Sequence, residues 1–109
     1  MIANDTIQEV VRRLVDVADP AKIILFGSHA TGEATAESDI DLLVVEERVE
    51  NKIQEMIRLR KGLRGLNISV DILVVSQQEV LDWGHLQGHI LYWALKEGMV
   101  LHEEADRFG

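Results

Sequence analysis

The order of hydrophobic patterns along the 109 residues predicts an α/β (α+β) domain in which a small mixed β-sheet is flanked by helices. Apolar positions recur at helical spacing in residues 6–18 and 49–64, whereas residues 22–26, 40–45 and 69–75 are short runs rich in Val, Ile and Leu. Gly27, Gly32, Gly65, one proline and serine caps fall between or beside these runs, where a chain must turn.

The first helix is expected over residues 6–18, because Thr6 and Glu9 have capping-box spacing and Ile7, Val10, Val11, Leu14, Val17 and Ala18 share a face. Asp19-Pro20 stops it. Residues 22–26 read as a buried strand, closed by Gly27-Ser28, which opens a short helical turn with Ser28 near its start. Residues 32–38 have loop composition. A second strand is expected over 40–45, ending in the solvated cluster Glu46-Glu47-Arg48. Val49, Ile53, Met56, Ile57 and Leu63 place one apolar face on a second long helix over 49–64, which Gly65 should terminate. Residues 69–75 form the third strand, and Ser76 with Glu79 starts another helix directly after it. Residues 86–97 are again amphipathic, Gly98 has the position of a C′ glycine, and 99–102 suit a short edge strand. The charged tail from Glu103 is expected to fray.

At this length, with 47% apolar residues, the chain supports one core, so residues 1–109 are read as a single domain. There is no Cys, which excludes a disulfide framework and a thiolate metal site and agrees with a cytoplasmic location. Charges interrupt the first twenty residues too often for a signal peptide, and no apolar run approaches the roughly 20 residues that span a bilayer. A soluble protein without membrane contact is expected. The formal net charge of −8 opposes stable binding of a nucleic-acid backbone and suits a basic protein partner better.

The chemistry is expected from five residues. Asp39 and Asp41 are one residue apart at the mouth of a strand, so the period of two sends both carboxylates to the same face. Left alone they would repel and raise one pKa; a divalent cation removes the conflict, and a pair of Mg²⁺ ions is the usual arrangement for in-line displacement at phosphorus. Asp71, set between Val70 and Ile72, is a charge inside an apolar strand and therefore expected to be buried and to need a partner. On a neighbouring strand it would complete a three-carboxylate site. Gly27-Ser28, between a strand and a helical turn, supplies backbone N–H groups, a hydroxyl and room for a phosphate. Three carboxylates facing two dications leave a small positive excess for a nucleoside triphosphate.

Other motifs fail on their residues. Gly27 and Gly32 have Walker A spacing, but Glu33 and Ala34 stand where Lys and Ser/Thr are required. An EF-hand starting at Asp39 would put Leu43 and Val44 at a ligand and at the turn glycine. His85 and His89 are four apart, but Gly84 and Gly88 weaken the helix a shared metal would need. Trp83, Tyr92 and Trp93 read as core or partner-surface anchors. Arg58, Arg60, Lys61 and Arg64 read as a solvated basic face.

Through Gly27-Ser28-His29-Ala30-Thr31-Gly32 and Ser38-Asp39-Ile40-Asp41-Leu42-Leu43-Val44, extended by Val70-Asp71-Ile72-Leu73-Val74, the chain resembles the minimal nucleotidyltransferase (MNT) family of the DNA polymerase beta superfamily. The resemblance implies the nucleotidyltransferase fold, with Gly27 and Ser28 at the triphosphate, Asp39 and Asp41 on the metals, and Asp71 as third carboxylate beside the acceptor. Thr31 stands where many members carry Arg. Larger relatives append a domain that binds the acceptor, for which 109 residues leave no room, so the acceptor must come to this chain. Free-standing proteins that look like this are often encoded beside a small helical HEPN ribonuclease toxin and act as its antitoxin, in some cases by moving AMP from ATP to a toxin tyrosine. That is the leading expectation. The alternatives are an antitoxin that neutralises by stoichiometric binding and a small-molecule nucleotidyltransferase.

Overall fold

The computed structural model describes residues 4–34 and 39–104. The elements are α1 (Asn4–Ala18), β1 (Lys22–Phe26), α2 (Ser28–Thr31), β2 (Ile40–Glu46), α3 (Lys52–Gly62), β3 (Val70–Ser76), α4 (Gln77–Trp83), α5 (Ile90–Glu97) and β4 (Met99–Glu103). The strands form one sheet in the order β3-β2-β1-β4, with β1 antiparallel to β2 and to β4, and β2 parallel to β3. The parallel pair is joined by a crossover through α3, as parallel neighbours require.

Strand alternation divides the apolar residues between two layers. Ile23, Leu25, Ile40, Leu42, Val44, Ile72 and Val74 face α1 and α3, which contribute Val10, Leu14 and Leu59, with Leu63 just past the end of α3. Ile24, Leu43, Val45 and Val75 face the other way, onto Leu91 and Ala94 of α5. By the same alternation, Asp41 and Asp71 belong to the α5 face, beyond its apolar packing. The α1/α3 layer is tied by side chains as well as by packing: Arg13 Nη1 donates to the Arg64 carbonyl at 2.8 Å, and Arg58 donates to the Val17 carbonyl. Lys52 at the start of α3 pairs with Glu79 of α4.

Several boundaries move from their expected places. Thr6 lies inside α1, which already runs at Asn4, and the Glu9 carboxylate is taken by Arg12 and Arg13 instead of closing a capping box. Asn51 caps α3, accepting from the Gln54 N–H at 3.0 Å, so Val49 packs on the core from outside the helix. α3 ends at Gly62, three residues before the turn glycine Gly65 at φ 93°. The capping box of Ser76 and Glu79 is present in both directions. Gly98 is extended (φ −73°, ψ 160°), not left-handed. Its requirement is closeness: a Cβ there would stand 2.1 Å from the Ala94 carbonyl oxygen and 2.4 Å from Ile24 Cγ2, where α5 turns into β4 against β1. The chain also stays ordered past the expected point of fraying, since Glu103 belongs to β4 and the Glu104 N–H donates to the Ala21 carbonyl at 2.8 Å. Of the expected 32–38 loop, residues 35–38 lie outside the described residues.

At the far end of β2 from Asp41, Glu46 is pushed up to about 8 by burial and by a hydrogen bond with Glu55, whose own carboxyl that contact holds low. Between about pH 4.5 and 8 the folded chain therefore keeps a proton that the unfolded chain has lost, so stability falls as pH rises through that window. Glu46→Gln should flatten this slope and raise the melting temperature at pH 8 relative to the parent. Thermal melts of both proteins between pH 5 and 9 check it; parallel curves would remove Glu46 as the cause.

Candidate active site

The two pairings of β2 bring three chain segments to one end of the sheet. Because β1 and β2 are antiparallel, the end of β1 lies beside the start of β2; because β2 and β3 are parallel, the start of β3 lies beside it on the other side. Phe26, Asp41 and Asp71 consequently occupy one row across three strands, with Asp41 in the middle. Asp39 sits two residues before Asp41, exposed at the mouth of β2.

Gly27 follows Phe26 at φ 75°, ψ −154°, a conformation that is essentially glycine's alone. Its α-carbon lies against the Asp41 side chain so closely that a Cβ would fall 2.3 Å from Oδ2. The backbone then turns into α2, where the Gly27 carbonyl accepts from the N–H groups of Ala30 and Thr31 at 3.1 and 3.2 Å. Ser28 is the first residue of this turn, and Thr31 spends its hydroxyl on the Ser28 carbonyl at 3.5 Å.

Burial raises the Asp41 pKa, and the charges of Asp71 and Asp39 raise it further, while His29 opposes them. The mutual repulsion expected of the Asp-x-Asp pair thus falls on Asp41, with Asp71 a stronger contributor than Asp39. A carboxylate under such pressure is suited to a cation. Yet no three His, Cys, Asp or Glu side chains among the described residues converge closely enough to hold an ion as they stand.

The expected burial of Asp71 is wrong: its side chain is 62% exposed. The sheet order explains this, since β3 is an edge strand and Asp71 lies at its open start. Its partner is Arg60 of α3, with Nη2 3.8 Å from Oδ1. Arg60, Asp71, Leu63, Ile68, Ser69 and Val70 line a hollow of about 310 Å³. The sequence alone puts Arg60 on a solvated face and gives His29 no role; α-helical spacing carries no signal for a contact made across to another strand.

Among the described residues the histidine pair gathers no metal-ligating group. His89 caps α5, its Nδ1 accepting from the Leu91 N–H at 3.1 Å, and its ring stacks on Trp83; His85 lies in the preceding turn. Trp83 and Trp93 are surface residues, and Lys96 lies over the rings of Tyr92 and Trp93.

Comparison with known proteins agrees with this geometry. The chain matches the nucleotidyltransferase domain family over residues 5–103. It is 32% identical over 84 residues to a candidate protein adenylyltransferase of Methanocaldococcus jannaschii, covering 74% of this chain and 77% of that protein. Among solved structures it resembles a candidate nucleotidyltransferase from Sulfolobus solfataricus (TM-score 0.57, 22% identity, 94% and 91% of the two chains). It also resembles the spectinomycin adenyltransferase of Enterococcus faecialis, solved with ATP and spectinomycin (TM-score 0.60, 17% identity). That likeness covers 94% of this chain but 55% of the enzyme. The four-stranded mixed sheet, the glycine turn pressed on a strand-borne aspartate and the match along nearly the whole chain lead to one conclusion: the chain belongs to the nucleotidyltransferase domain family and is a nucleotidyltransferase.

Proposed function

We propose that this nucleotidyltransferase moves AMP from ATP to a hydroxyl of a protein partner, with Gly27 and Ser28 receiving the triphosphate and Asp39, Asp41 and Asp71 holding Mg²⁺. The observation that carries the reading is the row formed by Phe26, Asp41 and Asp71, with the Gly27 backbone pressed against the Asp41 carboxylate. The all-oxygen donor set of Asp39, Asp41 and Asp71, with Asp41 under the charge of the other two, suits a hard dication, which these three would hold. When bound, two Mg²⁺ ions neutralise the triphosphate and make the acceptor hydroxyl more acidic.

The chain's own residues do the remaining work. The Gly27-Ser28 turn leaves space and main-chain donors for phosphate oxygens. Asp71, at the open edge, faces the hollow through which an acceptor can approach, and its carboxylate takes the hydroxyl proton. The acceptor oxygen bonds to the α-phosphorus, the bond from that phosphorus to the β-phosphate bridging oxygen breaks, and pyrophosphate leaves.

The M. jannaschii relative supports a protein as acceptor, and so does the open hollow. Leu81, Trp83, Leu86, Trp93, Met99 and Val100 add exposed apolar surface from α4 to β4 that a partner can cover. We take that partner to be a HEPN-type toxin, for which this chain is the antitoxin, on the resemblance of the Gly27–Gly32 and Ser38–Val44 motifs to the MNT family. Co-expression with the product of a neighbouring gene, followed by intact mass measurement, tests it. AMP additions on the partner that vanish with Asp39→Asn are expected. An unmodified partner in a tight complex would make the chain a stoichiometric binder, and transfer without any protein would point to a small-molecule acceptor.

A further inference from the structure

Asp41 and Asp71 are register partners on hydrogen-bonded parallel strands, which places their Cα atoms as neighbours, yet the carboxylates do not gather into a three-ligand set among the described residues. Two forces pull Asp71 the same way. Asp41, its register partner on the neighbouring strand, repels it from within the sheet, and Arg60 of α3 attracts it with Nη2 3.8 Å from Oδ1. Among the described residues the sheet offers Asp71 no neighbour on its outer edge, because β3 is the last strand in the order. Arg60 stands on a fixed base. The end of α3 is fastened to α1 by the Arg58 bond to the Val17 carbonyl and by the Arg13 bond to the Arg64 carbonyl, on either side of Arg60 in sequence. The guanidinium can therefore hold Asp71 without dragging the helix.

We propose that Arg60 is a positioning residue that latches Asp71 outward, so that a cation entering between Asp39 and Asp41 must take Asp71 from Arg60 to complete its ligand set. This rests on the carboxylate reading of the site given above. The pair is exposed, with side chains 55% and 62% accessible, so it is weak enough to be exchanged for a dication. An arginine that kept Asp71 permanently would need burial and a bidentate contact, neither of which is present.

The test is Mn²⁺ binding without nucleotide, followed by electron paramagnetic resonance, for the parent, Arg60→Ala, Arg60→Lys, Asp71→Asn and the Arg60→Ala/Asp71→Asn double variant. Asp41→Asn serves as the control for the site. With the latch, Arg60→Ala binds Mn²⁺ roughly two- to fivefold more tightly, the range that freeing an exposed ion pair allows. That gain disappears when Asp71 is already Asn, and Arg60→Lys falls between parent and Arg60→Ala. A gain that persists in the Asp71→Asn background is only the loss of a nearby positive charge and overturns the latch, as does no gain at all. If the parent fails to bind Mn²⁺, or Asp41→Asn binds it equally well, the carboxylate reading falls and the latch with it. Circular dichroism of each variant separates these results from misfolding.

Discussion

Replacing Gly27 by Ala should cut nucleotidyl transfer by about 100-fold and lower stability together. The new methyl carbon would fall 2.3 Å from Asp41 Oδ2 and 3.2 Å from its carboxyl carbon, so either the carboxylate or the turn has to move. The turn is held by the Ala30 and Thr31 bonds to the Gly27 carbonyl, so it is the Asp41 carboxylate, the end of a side chain, that has to swing out of its place. The φ of 75° with ψ −154° adds backbone strain of about 1–3 kcal/mol for a residue with a Cβ. A displacement near 1 Å at a reacting group costs about 100-fold in rate, so the loss of activity should exceed what the stability change explains. Thermal melting and single-turnover transfer on the same preparation measure both. A Gly27→Ala protein of parental activity would mean that Asp41 is not placed by this contact.

Asp41→Asn is the complementary change, expected to remove activity without harming the fold. Asparagine has nearly the same shape, so the fit against Gly27 survives, while the central negative charge of the row is lost. Transfer should fall on the order of a thousandfold, the scale of deleting one preorganised electrostatic group. Stability should move the other way. The Asp41 pKa is raised in the folded chain, so its ionised form is disfavoured there, and that cost grows as pH rises past the usual carboxylate range. Above that range the Asn variant should melt at or above the parental temperature. A variant that is both inactive and markedly less stable would indicate that Asp41 serves the fold.

Local chemistry makes most of the fold legible. The strand of residues 22–26 has the bounds its sequence predicts, and the Ser76/Glu79 box starts α4 where its spacing places it, because each signal is complete within a few residues. Boundaries governed by distant contacts are not legible in this way. Gly98 is glycine because α5, β1 and β4 meet there, not because a helix ends in a left-handed turn. The site divides the same way. Asp41 lies on the strand and Gly27 in the turn where alternation and turn chemistry put them, while Asp39 stands just before the strand begins. Asp71 stands out in the sequence for a wrong reason: an aspartate within an apolar run suggests burial, whereas strand order places it at an open edge with Arg60. Strand order depends on long-range pairing, and the Arg60 contact joins α3 to β3 across the hollow, so neither has a period in the sequence.

The central claim, that Asp41 anchors transfer of a nucleotidyl group, meets its most direct test in parallel reactions with α-³²P-ATP and γ-³²P-ATP, comparing the parent with Asp41→Asn in the presence of Mg²⁺ and the co-expressed partner. The account predicts stable label on the partner from the α position only, with the γ label leaving as pyrophosphate, and no label above background from the Asn variant. Label arriving from the γ position, or equal α labelling by both proteins, would contradict it.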